Sequence, residues 1–202
     1  NSCIQEESCL LKKYAEKFGY KTVTVVDKPN VIRETGGLMI RTAREVAKEF
    51  PGIELWETNI DAQAMWLLKN PHDYGVMVAE NMFGYILSDL AAQLVGGLGF
   101  ASSGNIGDNY AVFEPTHGSA PKYENLKPSI VNPIAMILSS CMMLDHIGES
   151  DKADQIRDAI SKVIEKGEIR TYDMLRLSGG ADVFEKGACS TSEMTNAIID
   201  HL

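Results

Sequence analysis

Three short strand-like segments, each followed by a helical segment, restrict this chain to one class of fold. The first, Thr22–Val26, reads Thr-Val-Thr-Val-Val and has the β-branched, apolar composition of a buried strand. Ile53–Glu57 and Gly75–Ala79 repeat the strand pattern after intervening helical segments. Alternating helices and strands joined by short loops indicate a parallel or mixed sheet. The sequence therefore predicts an α/β protein.

The predicted helices carry apolar residues at helical spacing, and the first four end at glycine or proline. They are Leu10–Phe18, Gly37–Phe50, Asp61–Lys69, Tyr85–Val95, Ile134–His146, Ala153–Glu165 and Ser192–Leu202. Ala111–Phe113 is a further predicted strand. The glycines at 96, 97 and 99 indicate a boundary between two domains, residues 1–95 and residues 96–202.

The charge and the cysteines exclude several classes of function. A formal charge of -9 argues against a general nucleic-acid binder, which needs a basic surface to displace counterions. An anionic ligand therefore needs locally placed cations. The four cysteines lie too far apart for a CxxC metal site, and no segment resembles a secretory signal or a membrane span. Reduced thiols and a cytoplasmic location are the expectation.

Polar residues that follow or begin the predicted elements are candidates for chemistry. Lys28 and Asn30 come after the first strand, where α/β proteins place ligand-contacting side chains, although the local sequence alone favours a proline-containing turn with a solvated lysine. Asp61 near a helix start and Asp89 inside a helix are candidate ligands for a hard divalent cation. The alternatives are a first-turn acid favoured by the helix dipole for Asp61 and a solvated helix position for Asp89.

The loop from Glu114 to Pro133 suits a phosphorylated adenine nucleotide. Lys122 and Tyr123 offer a charge and a hydroxyl to a phosphate, and Asn132 offers hydrogen bonds to an adenine edge. A proline-broken surface loop is the alternative. Tyr172 and Arg176 lie four residues apart, so the spacing predicts one shared helical face on which arginine can grip a phosphate, unless this is simply a surface helix start.

Together these segments resemble the β-decarboxylating dehydrogenases, the isocitrate and isopropylmalate dehydrogenase family, from about Leu11 to the C-terminus. The resemblance implies an isopropylmalate-dehydrogenase-like fold and suggests that the chain is the C-terminal half of a longer enzyme. Residues 1–95 would be part of the small dimerisation domain, and residues 96–202 part of the large nucleotide-binding domain. A homodimer is implied because family active sites combine residues of two chains.

The resemblance also implies roles for individual residues. Lys28, followed by Asn30, matches the family's acid/base lysine, and Asp61 and Asp89 match aspartates that bind Mg²⁺ or Mn²⁺. The cofactor residues of the family fall on the loop after the predicted strand and on a later Thr-Tyr-Asp segment. They are Glu114, His117, Gly118, Ser119, Ala120, Lys122, Tyr123, Asn132, Tyr172 and Arg176.

Two separated segments indicate NADP rather than NAD. Family members that prefer NADP carry Lys-Tyr in the cofactor loop together with a later tyrosine and arginine, and this chain resembles them at Lys122, Tyr123, Tyr172 and Arg176. That combination is similar to isocitrate dehydrogenases more than to isopropylmalate dehydrogenases. It implies hydride transfer from C2 of isocitrate to the nicotinamide, followed by loss of carbon dioxide to give 2-oxoglutarate.

The chain departs from the family pattern at one metal position. Tyr85 stands where the family has the first of two aspartates, and a phenol that is neutral near pH 7 replaces a hard anionic ligand. Glu80 is a candidate for compensation. A catalytically impaired paralogue or regulatory subunit that keeps the nucleotide site therefore stays open, as do isopropylmalate, homoisocitrate and tartrate as substrates.

Overall fold

The computed structural model describes residue 12 and residues 14–202. Residues 14–17 are helical, within the predicted helix Leu10–Phe18, and the positions 10, 11 and 13 of that prediction lie outside the described residues. Cys3 and Cys9 also lie outside them, whereas Cys141 and Cys189 are buried free thiols. The chain separates into two compact units, one ending at Ala91 and one beginning at Ala92. Their assignment to the small and large domains of the family stays a prediction.

The first unit is built on a parallel three-stranded sheet in the order β2-β1-β3. Each strand is followed by a helix, as the alternating pattern predicts. The elements are β1 (Thr22–Asp27), α1 (Arg33–Ala47), β2 (Glu54–Asn59), α2 (Ile60–Lys69), β3 (Val76–Ala79) and α3 (Asn81–Leu94). In the register, Val23 lies opposite Leu55 on one side and Val76 on the other.

The central strand β1 is buried along almost its whole length because helices cover both faces of the sheet. Val23 and Val25 pack with Met39 and Ala43 of α1. On the opposite face, Val26 packs with buried leucines of α2 and α3, Leu67 and Leu87. Burial on both faces explains the uninterrupted β-branched run in this strand.

The second unit combines an antiparallel strand pair with three helices. The elements are β4 (Ser102–Ile106), β5 (Ala111–Pro115), α4 (Ile134–His146), α5 (Ser150–Lys166) and α6 (Thr191–Ile199). Its main core joins α4, α5 and α6 through Ile134, Val163 and Met194. Within the described part of the chain, no helix has both the length and the apolarity needed to cross a membrane.

Several predicted helix boundaries are shifted in the structure. Helix α1 begins at Arg33 and α3 begins at Asn81, in each case four residues before the predicted start. The first turn of α1 has no large apolar residue, whereas the first turn of α3 contains Met82 and the buried Phe83, which the prediction did not include. The structure also contains β4, which the sequence did not predict because Ser-Ser-Gly-Asn-Ile has no apolar alternation.

Candidate functional site

A pocket of about 750 Å³ opens in the second unit. This volume lies within the range typical of small-molecule and cofactor sites. Its walls come from Gln93 and the glycine segment that follows it, at the start of the second unit, from the loop after β5, from the residues before α4 and from the Thr171–Leu177 turn. The lining residues include Gly97, Gly99, His117, Ser119, Tyr123, Asn132, Tyr172, Asp173 and Arg176.

The pocket brings together most of the predicted cofactor residues. His117, Gly118, Ser119, Ala120, Tyr123, Asn132, Tyr172 and Arg176 line it. Two predicted residues do not line it. Glu114 lies on β5, where its Oε1 atom is 3.5 Å from Asn105 Nδ2, and Lys122 is exposed beside the pocket wall.

Two tyrosines form one part of the pocket wall. The rings of Tyr123 and Tyr172 meet edge to face with centroids 5.7 Å apart, and Lys122 Nζ lies 4.7 Å from the Tyr123 centroid. Hydrogen bonds from Lys122 and from Tyr172 lower the pKa of Tyr123. Burial and the hydrogen bond with Tyr123 raise the pKa of Tyr172. The raised pKa keeps the Tyr172 phenol protonated near pH 7, so it can donate its hydrogen bond to Tyr123.

The predicted shared helical face of Tyr172 and Arg176 is wrong. The segment is a turn, closed by bonds from Leu177 N–H to the Tyr172 carbonyl at 2.9 Å and from Arg176 N–H to the Asp173 carbonyl at 3.0 Å. Arg176 has a φ of 55°, the left-handed conformation that such a helix-ending turn requires. Both side chains nevertheless line the same pocket, because the turn brings them to it without a helix.

The side chain of Asn132 is largely committed to internal hydrogen bonds. Its Oδ1 accepts from Ile134 N–H at 3.0 Å at the start of α4, and its Nδ2 donates to Asp173 Oδ2 at 2.9 Å. Asp173 Oδ1 also accepts from the buried Thr171 hydroxyl at 2.5 Å. At most one N–H of the Asn132 carboxamide is therefore free to contact an adenine edge.

Sequence reasoning missed the contribution of the glycines and of Asp173. Gly97 and Gly99 line the pocket, although the glycine run was interpreted only as a domain boundary. A Cβ on Gly99 would lie 2.5 Å from Asp173 Oδ2 and 2.9 Å from Asn132 Nδ2. Glycine is therefore required where the chain passes the Asn132–Asp173 hydrogen bond. The Thr-Tyr-Asp segment contains Asp173, but the local sequence does not indicate that this residue bonds to Asn132.

In the first unit, the structure pairs two other predicted residues. Lys28 Nζ lies 2.5 Å from Asp61 Oδ1, so the residue after β1 contacts the first turn of α2. This hydrogen bond lowers the pKa of the Asp61 carboxyl. Asn30 is exposed in the turn that follows Lys28. Lys28 therefore lies beside the proline-containing turn of the alternative interpretation, but its side chain is only partly exposed and is paired with Asp61.

The described residues do not complete a metal site within one chain. Asp89 and Tyr85 are both exposed on α3, and no group of three or more His, Cys, Asp or Glu side chains in the described part of the chain is arranged to hold a metal ion. Asp61 bonds to Lys28 instead. Residues 12 and 14–202 of a single chain thus do not fit a divalent ion by themselves.

The parallel sheet with covering helices and the separate pocket define an α/β protein of the dehydrogenase type. The chain belongs to the isocitrate/isopropylmalate dehydrogenase family, because the model of that family matches residues 10–198. The predicted isopropylmalate-dehydrogenase-like fold is confirmed.

Curated relatives and a solved structure agree with this membership. The chain is 43% identical over 190 residues to the isocitrate/homoisocitrate dehydrogenase of Thermus thermophilus, covering 94% of this chain and 53% of that protein. It is 46% identical over 160 residues to the 3-isopropylmalate dehydrogenase of Archaeoglobus fulgidus, covering 79% and 48%. The crystal structure of isocitrate dehydrogenase from Methylococcus capsulatus matches with a TM-score of 0.88 and 40% identity, covering 98% and 55%. The chain spans about half the length of these relatives.

Proposed function

We propose that this chain is the C-terminal portion of an NADP-dependent dehydrogenase that oxidatively decarboxylates isocitrate to 2-oxoglutarate. The observation that carries the proposal is that Tyr123, Tyr172 and Arg176 line the same pocket, with Lys122 beside Tyr123. These are the residues by which the chain resembles NADP-preferring members of its family.

The chemistry of these side chains suits a 2′-phosphate. Arginine donates two parallel hydrogen bonds to phosphate oxygens, and the Tyr123 phenol, which accepts from Tyr172, can donate one. Lys122 adds a positive charge at the edge of the pocket. Because the chain carries a formal charge of -9, such a local cluster of donors is needed to attract an anion. An NAD-specific site needs no such cluster.

Bound NADP supplies the hydride acceptor, and a divalent Mg²⁺ or Mn²⁺ ion supplies a positive charge that polarises the C2 oxygen of the hydroxy acid. The residues of this chain then have separate tasks. Lys28, held by Asp61, exchanges the hydroxyl proton of the substrate. Asp61 and Asp89 would hold the metal only where two chains assemble one site, with the remaining ligands supplied from outside the described residues. Glu114 and His117 to Ala120 shape the cofactor loop.

We further propose that the protein is a homodimer that buries the apolar side chains of α2 and α3. Large apolar side chains on these helices are exposed in the single chain, including Met65, Leu68, Met82, Tyr85 and Ile86. Leu68 is 58% exposed and Ile86 is 50% exposed. Leu67 and Leu87 are core residues of the first unit, so only part of each helix is free for an interface. Size-exclusion chromatography with light scattering tests this, and a monomer at micromolar concentration contradicts it.

A second function, a catalytically impaired paralogue or regulatory subunit, is supported by Tyr85. This residue occupies a metal-aspartate position of the family and is 67% exposed, so its phenol faces solvent. A neutral hydroxyl is a poor ligand for Mg²⁺. Such a subunit would retain the nucleotide pocket and lose turnover.

Calorimetric titration of the 202-residue chain with NADPH and with NADH tests the cofactor assignment. We expect NADPH to bind at least tenfold more tightly, and Arg176→Gln to remove most of that preference. Arg41→Gln, at an exposed position on α1, is the matched control and should leave both affinities unchanged. Equal affinity for the two nucleotides would contradict the assignment.

A further inference from the structure

The backbone of Gly179 lies against the Tyr123 side chain. A Cβ at position 179 would be 2.4 Å from the Tyr123 hydroxyl oxygen, 2.6 Å from Cζ and 2.7 Å from Cε1. Ordinary contact between such atoms requires at least about 3.4 Å, so any side chain at 179 forces the phenol to retreat by about 1 Å. Glycine at 179 is therefore what allows the ring to occupy its present position.

The ring has little room to retreat without changing the pocket. The Tyr172 ring meets it edge to face, and Lys122 Nζ lies over it. Tyr123 also forms part of the pocket wall, as Tyr172 does. A displaced ring must therefore disturb the tyrosine pair or move into the space for a ligand. Hydrogen bonds weaken steeply when donors leave their alignment.

We propose that Gly179 is a positioning residue for nucleotide selectivity: it fixes the Tyr123 phenol where it can donate to a 2′-phosphate. The inference rests on the proposed function, since it assigns the phosphate to this wall of the pocket. Gly179 itself contacts no phosphate and acts only through Tyr123. Gly179, two residues after the end of the Thr171–Leu177 turn, thus contributes to nucleotide specificity although it has no side chain.

The backbone conformation at Gly179 allows the steric effect of a side chain to be separated from backbone strain. Gly179 is absent from the glycines with positive φ, so alanine can adopt its conformation. The effect of Gly179→Ala must then come from the contact with Tyr123 and not from a forbidden backbone geometry. Gly52 also lacks a positive φ, and a Cβ there meets no atom within 4 Å, which makes Gly52→Ala the matched control.

The nucleotide test compares NADPH and NADH affinities of wild type, Gly179→Ala and Gly52→Ala by calorimetry. We expect Gly179→Ala to weaken NADPH binding about tenfold, the scale of one lost hydrogen bond to a charged group, and NADH binding by less than about twofold. Gly52→Ala should match wild type. Equal weakening of both nucleotides by Gly179→Ala, or weakening of neither, would overturn the proposal.

A second measurement does not involve nucleotide. Thermal unfolding of Gly179→Ala, Tyr123→Ala and the double variant reports whether the two positions are coupled. We expect Gly179→Ala to lower the melting temperature in the wild-type background and to leave it unchanged in the Tyr123→Ala background, where the obstructing ring is absent. Additive effects would overturn the steric mechanism. A wild-type chain that binds NADPH and NADH equally would overturn both the proposed function and the selectivity role of Gly179. The unfolding measurements would still decide whether positions 179 and 123 are coupled.

Discussion

Asn132 Nδ2 donates to Asp173 Oδ2 at 2.9 Å, and this bond joins two pocket walls that are 41 residues apart in the chain. One wall leads into α4, and the other is the turn that presents Tyr172 and Arg176. Both partners have further bonds, from Thr171 to Asp173 and from Ile134 N–H to Asn132. The Asn132–Asp173 hydrogen bond therefore links two walls of the pocket to each other.

Removing the Asp173 carboxylate should destabilise the second unit. Asp173→Ala leaves the buried Thr171 hydroxyl and the Asn132 amide without their acceptor, which costs about 1–3 kcal/mol of unfolding free energy. Urea denaturation measures this loss. Asp158→Ala, at an exposed position of α5, is the control and should stay within about 0.5 kcal/mol of wild type. A loss for Asp173→Ala no larger than for the control would show that the network is not structural.

The left-handed conformation of Arg176 predicts a conflict between stability and binding. A non-glycine residue at a φ of 55° carries a backbone penalty of about 1 kcal/mol, which glycine avoids. We expect Arg176→Gly to be more stable than Arg176→Ala by about this amount, while both lose NADPH affinity tenfold or more. Thermal unfolding and calorimetry measure the two effects. Equal stability of the two variants would contradict strain at this turn.

The capping box at the start of α6 predicts a dependence of stability on pH. Glu193 accepts hydrogen bonds from the Ser190 N–H and hydroxyl, each at 2.7 Å, and these bonds lower the pKa of Glu193. Its stabilising effect is therefore complete above the usual glutamate pKa of about 4.3 and is lost as the pH falls through the lowered folded-state pKa.

Glu193→Gln should accordingly lose less stability than wild type between pH 7 and pH 3, by thermal unfolding at each pH. Glu185→Gln, exposed in a neighbouring segment, should follow the wild-type profile. Ser190→Ala should cost about 1 kcal/mol at neutral pH, the usual cost of a lost N-cap. Identical pH profiles for Glu193→Gln and wild type would refute the assignment.

Restoring an aspartate at position 85 should increase metal affinity. Tyr85→Asp adds a hard, charged oxygen ligand one helical turn before Asp89, and the exposure of Tyr85 lets the change occur without disturbing the core. We expect Mn²⁺ to bind at least fivefold more tightly by calorimetry. Ile86→Asp, also exposed but directed elsewhere on the helix, should give no such gain. Unchanged Mn²⁺ affinity in Tyr85→Asp would remove position 85 from the metal site.

The sequence predicted best those elements whose buried residues form a recognisable local apolar pattern. Helix α4 has the predicted bounds, Ile134–His146, and β1 extends the predicted strand by one residue. Strand β4 was missed because its hydrogen bonds to β5 determine it, while its own residues are mostly polar. Local pattern carries no information about such a pairing.

The candidate site was likewise predicted only in part. The resemblance identified Tyr123, Tyr172 and Arg176, which the structure places on one pocket. It did not reveal that Arg176 takes a left-handed turn, because nothing in Tyr-Asp-Met-Leu-Arg distinguishes that turn from a first helical turn. The approach of Gly179 to Tyr123 depends on tertiary packing between segments distant in sequence, so only the coordinates could show it.

The most direct test of the central claim isolates the 2′-phosphate from the rest of the cofactor. We would titrate the wild-type chain with 2′,5′-ADP and with 5′-AMP, which differ only in that group. We predict that 2′,5′-ADP binds at least tenfold more tightly, by about 1.4 kcal/mol, and that Arg176→Ala removes the difference. Equal affinity of the two ligands in the wild-type chain would contradict an NADP site in this pocket.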